Sequence, residues 1–189
     1  MTTLQPHSTS HVRPSAAAAM LAVNRDQLRK LVGTGLIRIS ATTRAGYRRF
    51  NLADVLALAA WPQLPIPASG VIALHVGPLQ RDPNGAADQR TWMGWSATAS
   101  DRGLSQAQLD DAWRGWWVCA ADYAVAVADV GGFIVAARRI AGYTRAGNRL
   151  RFDFSPPDPE LEDRFVGRRI RSAPGPRVQP LCATRAQPG

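Results

Sequence analysis

Residues 14–32 read Pro-Ser-Ala-Ala-Ala-Ala-Met-Leu-Ala-Val-Asn-Arg-Asp-Gln-Leu-Arg-Lys-Leu-Val, and this stretch predicts two short helices joined by a tight turn. Ser15 can cap the first helix directly after Pro14. Asn24 can cap the second helix, and Gln27 three residues later would complete a capping box. The pattern therefore fixes where both helices begin.

The second helix has one apolar and one polar face. Leu28, Leu31 and Val32 recur at the spacing of a core-facing stripe. The opposite face is either a solvated surface or a surface that enters a DNA major groove, where arginine pairs with guanine and Asn or Gln with adenine. The candidate base-reading residues are Asn24, Arg25, Gln27, Arg29 and Lys30.

A small hairpin and a third helix follow. Residues 36–39 and 47–50 predict two strands around a turn at 42–46, and Asn51 can cap the next helix. Basic side chains at such a hairpin can meet phosphates or the minor groove. The candidate contacts on this hairpin are Arg44, Tyr47, Arg48 and Arg49.

Three motifs together carry a resemblance. They are Pro-Ser-x-Ala-Ala-x-x-Leu-x-Val-x-Arg-x-x-Leu over 14–28, Gly-Leu-Ile over 35–37, and Arg-x-Gly-Tyr-Arg-Arg-Phe over 44–50 before an Asp-Val helix. This region resembles the MerR/excisionase-type winged helix-turn-helix. The resemblance implies that the second helix enters the major groove and that the hairpin is a wing gripping the backbone. Carried over by position, the readers are Asn24, Arg25, Gln27 and Arg29, the wing contacts are Arg48 and Arg49, and Tyr47 replaces the usual His.

Charge is distributed unevenly along the 189 residues, whose net charge is +9. Residues 1–60 hold eight basic side chains against two acidic ones, residues 61–137 hold four against seven, and residues 138–189 hold eleven against five. A codon bias toward arginine would raise the total number of arginines without producing this uneven distribution along the chain. Two basic segments around an acidic middle favour a polyanionic partner, with nucleic acid ahead of a membrane surface.

The sequence divides into five segments. We expect a disordered arm at 1–12, the winged helix-turn-helix domain at 13–60, a Pro-rich linker at 61–70, an α+β domain at 71–172, and a loop or tail at 173–189. The linker is Trp-Pro-Gln-Leu-Pro-Ile-Pro at 61–67, too rich in proline for a helix or a central strand. The overall fold class is α+β.

The second domain is predicted as a small mixed α/β unit with antiparallel strands. Ser105 with Gln108 predicts a helix start, Gly131-Gly132 a hairpin turn, and residues 149–154 alternate with period two. The region is similar to PUA-like half-barrel modules. Tryptophans here are either core or a base-stacking platform. Eight arginines are candidate second DNA contacts or a solvated face: Arg138, Arg139, Arg145, Arg149, Arg151, Arg168, Arg169 and Arg171.

Catalytic and metal motifs are not found in the sequence. It has no P-loop, no Gly-x-Ser-x-Gly and no metal-spaced His/Cys set, so we expect no enzyme, no metal and no cofactor. His75 in an apolar run is interpreted as a core histidine. Cys119 and Cys182 are expected as free thiols in a cytoplasm, that of a bacterial host if the protein is phage-encoded. No membrane span or signal peptide is expected.

These observations predict a sequence-specific repressor of transcription that binds double-stranded DNA. The sequence contains no heptad repeat through which the chain could dimerise. We therefore expect a monomer that contacts an asymmetric site with two modules. In organisation the chain is similar to the immunity repressors of temperate mycobacteriophages, which implies silencing of lytic promoters during lysogeny. The alternatives are an excisionase or architectural recombination factor, an effector-sensing regulator with a ligand-binding C-terminal domain, and a reader of modified bases.

Overall fold

The chain has a mixed α+β fold. The structure is a computed structural model that describes residues 11–65, 70–85, 90–120, 122–171 and 177–181. Within these residues the helices are α1 (Pro14–Leu21), α2 (Arg25–Gly33), α3 (Leu52–Ala59), α4 (Gln106–Arg114) and α5 (Pro159–Phe165). The strands are β1 (His11–Val12), β2 (Ile39–Thr42), β3 (Arg48–Asn51), β4 (Val71–His75), β5 (Gln80–Arg81), β6 (Trp92–Met93), β7 (Val125–Val130), β8 (Phe133–Ala146), β9 (Arg149–Phe154) and β10 (Val178–Pro180).

Helix α1 begins two residues earlier than the predicted Ser15 cap implies. Pro14 is its first residue, and Arg13 occupies the cap position without a side-chain bond to the helix. Proline suits this position because its fixed φ is already helical and the missing N–H would have no partner there. Ser15 is therefore inside the helix and does not cap it. The helix ends at Ala22, whose left-handed backbone (φ 52, ψ 46) makes the turn into α2.

The capping box predicted for α2 is confirmed. The Asn24 side chain accepts a hydrogen bond from the Gln27 amide at 2.9 Å, and the Gln27 side chain accepts one from the Asn24 amide at 2.8 Å. Leu28 and Leu31 are buried on the inner face of this helix. The predicted cap of α3 is confirmed as well, since the Asn51 side chain accepts from the amide of Ala53 at 2.9 Å.

A three-stranded antiparallel sheet in the order β1-β3-β2 completes the head, which we define as residues 11–60. β2 lies three residues later than predicted, and β3 one residue later. The prediction of a disordered arm over 1–12 is wrong at its end, because Val12 is buried and pairs with Phe50. An apolar side chain that fills the core beside Phe50 holds this short strand in place. Residues 1–10 lie outside the described residues.

The body, defined as the described residues from 70 onward, is built on a five-stranded sheet. Its strand order is β10-β4-β7-β8-β9, in which β4 and β7 are parallel and the other neighbours are antiparallel. Strands β5 and β6 form a separate pair. The tail prediction for 173–189 is wrong at β10, where Val178 is buried and pairs with Leu74 on β4. Outside these strands, Arg169 forms isolated bridges with Gln63 and Phe133.

Head and body pack directly on each other. One cluster of buried apolar residues runs from Leu21 in the head to Phe133 in the body, and Trp61 meets the Phe133 ring edge-on at 5.7 Å. The Leu64 amide donates to the carbonyl of Arg169 at 2.7 Å. The described part of the Pro-rich segment, residues 61–65, therefore lies against the body, because this burial removes apolar surface from water. Residues 66–69 lie outside the described residues.

Candidate nucleic-acid interface and an adjoining cleft

The outward face of α2 presents basic side chains from its first two turns. Arg25, Arg29 and Lys30 are exposed, and the Arg29 guanidinium lies 3.4 Å from the Asp26 carboxylate in a pair of which both members are exposed. Such a pair contributes little to stability because water screens it. These side chains therefore remain available to a polyanion.

The body covers one side of α2. A Cβ built on Gly131, in the β7–β8 turn, would lie 3.2 Å from the Cβ of Gln27. A Cβ built on Gly33, at the other end of the helix, would lie 2.6 Å from the Pro78 ring. The edge of α2 that carries Arg25 and Arg29 is the side that these contacts leave open.

Two of the predicted base-reading side chains already form the hydrogen bonds that cap α2. The side-chain oxygens of Asn24 and Gln27 serve as the two acceptors of the capping box, and Gln27 is half-buried against the β7–β8 turn. Reading adenine requires both the oxygen and the amide nitrogen of such a side chain. The sequence pattern that suggested base readout at these two positions is thus explained by helix capping.

The β2–β3 hairpin presents its basic residues at the tip. Arg44 and Arg48 are exposed, Tyr47 is 70% exposed, and Arg49 is half-buried. The tip is ordered by local bonds, since the Tyr47 amide donates to the Thr43 hydroxyl at 3.1 Å. Within the described residues, no acidic side chain forms a salt bridge with these three arginines, so their charge is not neutralised by the protein.

Arg138 corrects the sequence interpretation. It was grouped with the DNA contacts, but its side chain is only 1% exposed. It donates to the Asp110 carboxylate at 2.9 Å and lies 2.5 Å from the Glu162 carboxylate. A buried guanidinium needs such partners because its desolvation is costly. Arg138 therefore joins α4 to α5 across β8, and no surface contact with DNA is compatible with this position.

Four more of the eight arginines are held by the protein. Arg139 pairs with Asp158 at 2.9 Å, and Arg151 lies 3.8 Å from Asp111 with its side chain 13% exposed. The other two bind carbonyl oxygens: Arg168 donates to Arg164 at 2.6 Å, and Arg169 donates to Leu21. Arg151 and Arg169 are corrected to structural residues, because partners within the chain hold their guanidinium groups.

The remaining three, Arg145, Arg149 and Arg171, are exposed. Arg145 and Arg149 lie at the end of the β8–β9 hairpin, where the Arg145 guanidinium sits 6.0 Å from the ring centre of the half-exposed Tyr143. We call residues 143–149 the arm tip. Among the described residues, no carboxylate forms a salt bridge with either arginine. The arm tip therefore combines free positive charge with an exposed aromatic ring.

The head and the arm tip lie at opposite ends of β8. This strand starts at Phe133, next to the β7–β8 turn that packs on α2 of the head, and runs for 14 residues to Ala146. At about 3.3 Å per residue the strand is roughly 40 Å long along its path, and a register shift between Ile140 and Gly142 interrupts its pairing with β9.

A cleft of about 450 Å³ lies between α2 and the body. Side chains from both parts line it. The head contributes Asn24, Asp26, Gln27 and Lys30, and the body contributes His75, Trp116, Trp117, Arg90 and Arg177 among others. Its volume lies within the range typical of small-molecule sites. The sequence did not predict this cleft.

A histidine–aspartate pair forms part of the cleft wall. Nδ1 of His75 bonds to Oδ2 of Asp129, whose side chain is fully buried and whose Oδ1 accepts from the Gly132 amide at 2.9 Å. The two residues are register partners of the parallel strands β4 and β7. The interpretation of His75 as a satisfied histidine fits this bond. The Asp129 pairing was missed, since only the parallel pairing reveals it.

The tryptophans divide between core and cleft. Trp113 is 1% exposed and stacks on Phe154 at 4.4 Å between ring centres, as expected of a core residue. Trp116 and Trp117 are half-buried and line the cleft. The Trp117 indole donates to the Arg114 carbonyl at 2.8 Å. The core interpretation is thus confirmed for Trp113, and base stacking stays a prediction.

Several groups in the described residues have shifted pKa values. Hydrogen bonding to Arg38 lowers the pKa of Asp54. The Leu161 amide, with Arg139, lowers the pKa of Asp158 at the start of α5. Partial burial raises the pKa of the Cys119 thiol, which keeps it protonated and unreactive. Cys182 lies outside the described residues.

Neither a metal site nor a membrane-spanning helix is found in the described residues. No cluster of three His, Cys, Asp or Glu side chains in the described ranges could hold a metal ion. No helix in these ranges is long and apolar enough to span a bilayer. No protein-family model, curated protein or solved structure matches the chain.

Proposed function

We propose that this protein is a sequence-specific repressor of transcription that binds double-stranded DNA with two surfaces of one chain. In this proposal the head is a winged helix-turn-helix with β2–β3 as its wing, and the arm tip is the second contact. Occupying DNA is sufficient for repression, so no cofactor is needed. The site of action would be the cytoplasm of a bacterial host, as for the phage immunity repressors that the chain resembles.

One observation carries the proposal: the distribution of arginines without acidic partners. The arginines in the middle of the body are held by carboxylates, as Arg138 is by Asp110. On α2, on the β2–β3 hairpin and at the arm tip, five arginines are exposed and form no salt bridge with a described carboxylate: Arg25, Arg44, Arg48, Arg145 and Arg149. Like charges repel one another, so groups of exposed arginines favour a polyanion that offsets the repulsion.

The spacing of the two surfaces supports a monomer on an asymmetric site. Dimeric helix-turn-helix proteins place two equivalent helices one DNA turn apart. Here the head and the arm tip lie at opposite ends of β8, which is roughly 40 Å long along its path, so the arm tip could take the place of the second subunit.

Base reading falls to the open edge of α2. Arg25 and Arg29 are exposed there, whereas Asn24 and Gln27 cap the helix. Arginine contacts guanine bidentately through O6 and N7. We therefore expect guanines in the part of the site bound by α2 and only phosphate contacts elsewhere.

The test is selection of binding sites from random duplex DNA with three full-length proteins. They are the wild type, R25Q/R29Q and R145Q/R149Q, and the control is the single variant R164Q on the exposed face of α5. The wild type should enrich one asymmetric site at one protein per duplex. R25Q/R29Q should lose the sequence preference, and R145Q/R149Q should enrich a shorter site. A palindrome occupied by two proteins, or an arm variant that behaves like R164Q, would overturn the two-surface monomer.

A second function has specific support from the cleft. An effector-sensing regulator needs a ligand site that contacts the DNA-reading element. The cleft is lined by Asp26, Gln27 and Lys30 of α2 itself. A ligand held there would touch the same helix that carries Arg25 and Arg29.

A further inference from the structure

We propose that the cleft between α2 and the body binds a small planar aromatic anion, such as a nucleotide or an aromatic carboxylate. Its two walls come from different parts of the chain, with Lys30 on α2 facing Trp116, Trp117 and Arg177 of the body. Flat rings stack on indole, and acidic groups pair with Lys and Arg. The cleft offers both kinds of group within about 450 Å³.

The aromatic wall is held in place by the fold. The Trp117 amide donates to the Leu150 carbonyl at 2.7 Å and its indole to the Arg114 carbonyl at 2.8 Å. Trp116, its neighbour in sequence, is half-buried and also lines the cleft. A half-exposed indole at a cleft surface keeps apolar area in water. A flat ligand ring would cover that area.

The cationic groups of the cleft differ in whether a carboxylate of the protein pairs with them. Arg90 is paired with Asp82, and the rim carboxylate Asp26 lies 3.4 Å from Arg29. In the described part of the chain, no carboxylate forms a salt bridge with Lys30 or Arg177. These two side chains are therefore the groups able to bind the acidic part of a ligand.

The histidine–aspartate pair supplies an oriented polar group. The Asp129 carboxylate faces Nδ1 of His75, which places the proton of a neutral imidazole on that nitrogen and leaves Nε2 as an acceptor. His75 lines the cleft, and its amide donates to the Arg177 carbonyl at 2.9 Å. The main-chain bond thus places Arg177 next to His75 at the cleft.

Gly77 keeps the cleft open. It lines the cleft, and a Cβ built on it would meet no heavy atom within 4 Å. Its φ lies outside the left-handed region, so a larger side chain is tolerated by the backbone. A branched side chain here would occupy cleft volume without strain, which makes this position suited to a blocking variant.

The experiment measures binding of 5′-AMP and of indole-3-acetate to the full-length protein by titration calorimetry without DNA. G77V is the blocking variant and G142V, a glycine on β8 with no heavy atom closer than 3.9 Å to a built Cβ, is its control. K30Q/R177Q removes the cations, with R164Q as its control. Thermal melting of each variant verifies that it is folded, and W116L replaces G77V if that variant is not.

We expect one molecule per chain, with affinity at least tenfold weaker in G77V and in K30Q/R177Q and unchanged in both controls. Preference for 5′-AMP identifies a phosphate-bearing ligand, and preference for indole-3-acetate identifies a carboxylate. No saturable binding of either probe, or equal binding by wild type and G77V, would overturn the proposal.

An effect of the bound ligand on DNA affinity rests on the proposed function and is measured in a separate experiment. The bound probe should change the affinity for the selected DNA site at least threefold, and this response should vanish in K30Q/R177Q. Binding of the probe without any effect on DNA affinity would overturn the coupling and leave the ligand site intact. A protein that binds the probe and no DNA would overturn the proposed function alone.

Discussion

The guanidinium of Arg169 donates a hydrogen bond from Nη2 to the main-chain carbonyl of Leu21, 148 positions earlier in the chain. The same guanidinium lies 4.9 Å from the centre of the Phe133 ring, which Trp61 also contacts. The Arg169 amide donates to the Pro62 carbonyl at 2.8 Å. Arg169 therefore joins the end of α1, the Pro-rich segment and the start of β8.

Replacing Arg169 should weaken the junction between head and body. We expect R169L to lower the free energy of unfolding by about 1–3 kcal/mol, because it leaves the Leu21 carbonyl without its donor and removes the contact with Phe133. Urea denaturation measures the change. R171Q, at an exposed position two residues away, should change stability by less than about 0.5 kcal/mol. Equal midpoints for R169L and wild type would show that the junction does not depend on this side chain.

Replacing Arg138 should affect stability and leave DNA binding unchanged. R138M leaves the carboxylates of Asp110 and Glu162 without their buried partner, and we expect a loss of about 3 kcal/mol in the free energy of unfolding. DNA affinity, corrected for the folded fraction, should equal that of the wild type. A stable R138M with weakened DNA binding would contradict the structural role.

Under the proposed function, the arginines of the β2–β3 hairpin should determine the salt dependence of DNA binding. Each phosphate contact contributes about 0.9 to the slope of log K against log salt concentration. R44Q/R48Q should therefore reduce the magnitude of that slope by about 2, with a similar loss of affinity on specific and nonspecific duplexes. Titrations at several salt concentrations give the slope, and R164Q serves as the control. An unchanged slope would remove the β2–β3 hairpin from the interface.

Asp54 should make the stability of the head depend on pH. Its carboxylate accepts from the Arg38 amide at 2.9 Å and from the guanidinium at 2.7 and 3.0 Å, which lowers its pKa. A carboxyl with a lower pKa in the folded state stabilises that state above its unfolded pKa of about 3.9. This contribution is lost as the pH falls through that value toward the lower folded pKa.

D54N should therefore cost about 1 kcal/mol at pH 7, since the exposed Arg38 side chain limits the effect. The difference between wild type and D54N should shrink between pH 5 and pH 3. Thermal or urea unfolding at a series of pH values measures this, with D163N on α5 as a surface control. A difference that stays constant to pH 3 would exclude the charged pair as its cause.

Glycine at position 22, in the turn between α1 and α2, should stabilise the folded protein. Ala22 is the one non-glycine residue with positive φ in the described residues, and this conformation costs an L-residue about 1–2 kcal/mol. Glycine avoids this cost, but it also makes the unfolded chain more flexible, which offsets part of the stabilisation. We expect A22G to raise the free energy of unfolding by about 0.5–1 kcal/mol in urea. Destabilisation would mean that the Ala22 methyl group has a packing role.

Local patterns were predicted well from the sequence. Asn24 with Gln27, Asn51, and Ser105 with Gln108 begin helices as expected, since a cap bonds to residues two or three positions away. Gly131 and Gly132 form the β7–β8 turn with φ of 62 and 96, as a hairpin requires. Hydrophobic spacing and turn residues act over a few positions, so one sequence is enough to read them.

Partners distant in the sequence were not predicted. The pairing of β10 with β4, the bond between His75 and Asp129, and the burial of Arg138 join segments between 24 and about 100 residues apart. An arginine in a basic segment has the same sequence signature whether it is exposed or buried with carboxylates. The cleft was missed for the same reason, because its walls come from α2, β4, β7 and the loop after α4.

The sequence by itself determined the helices of the head, the caps of α2 and α3, the main hairpins and the excess of positive charge. These properties follow from residue type and short-range spacing. Only the tertiary structure decided which charges are free. It buries Arg138 with carboxylates, holds the half-buried Arg169 against the Leu21 carbonyl, and leaves Arg25, Arg145 and Arg149 exposed. The physical reason is that desolvation and pairing depend on neighbours in space, which chain folding brings together from distant positions.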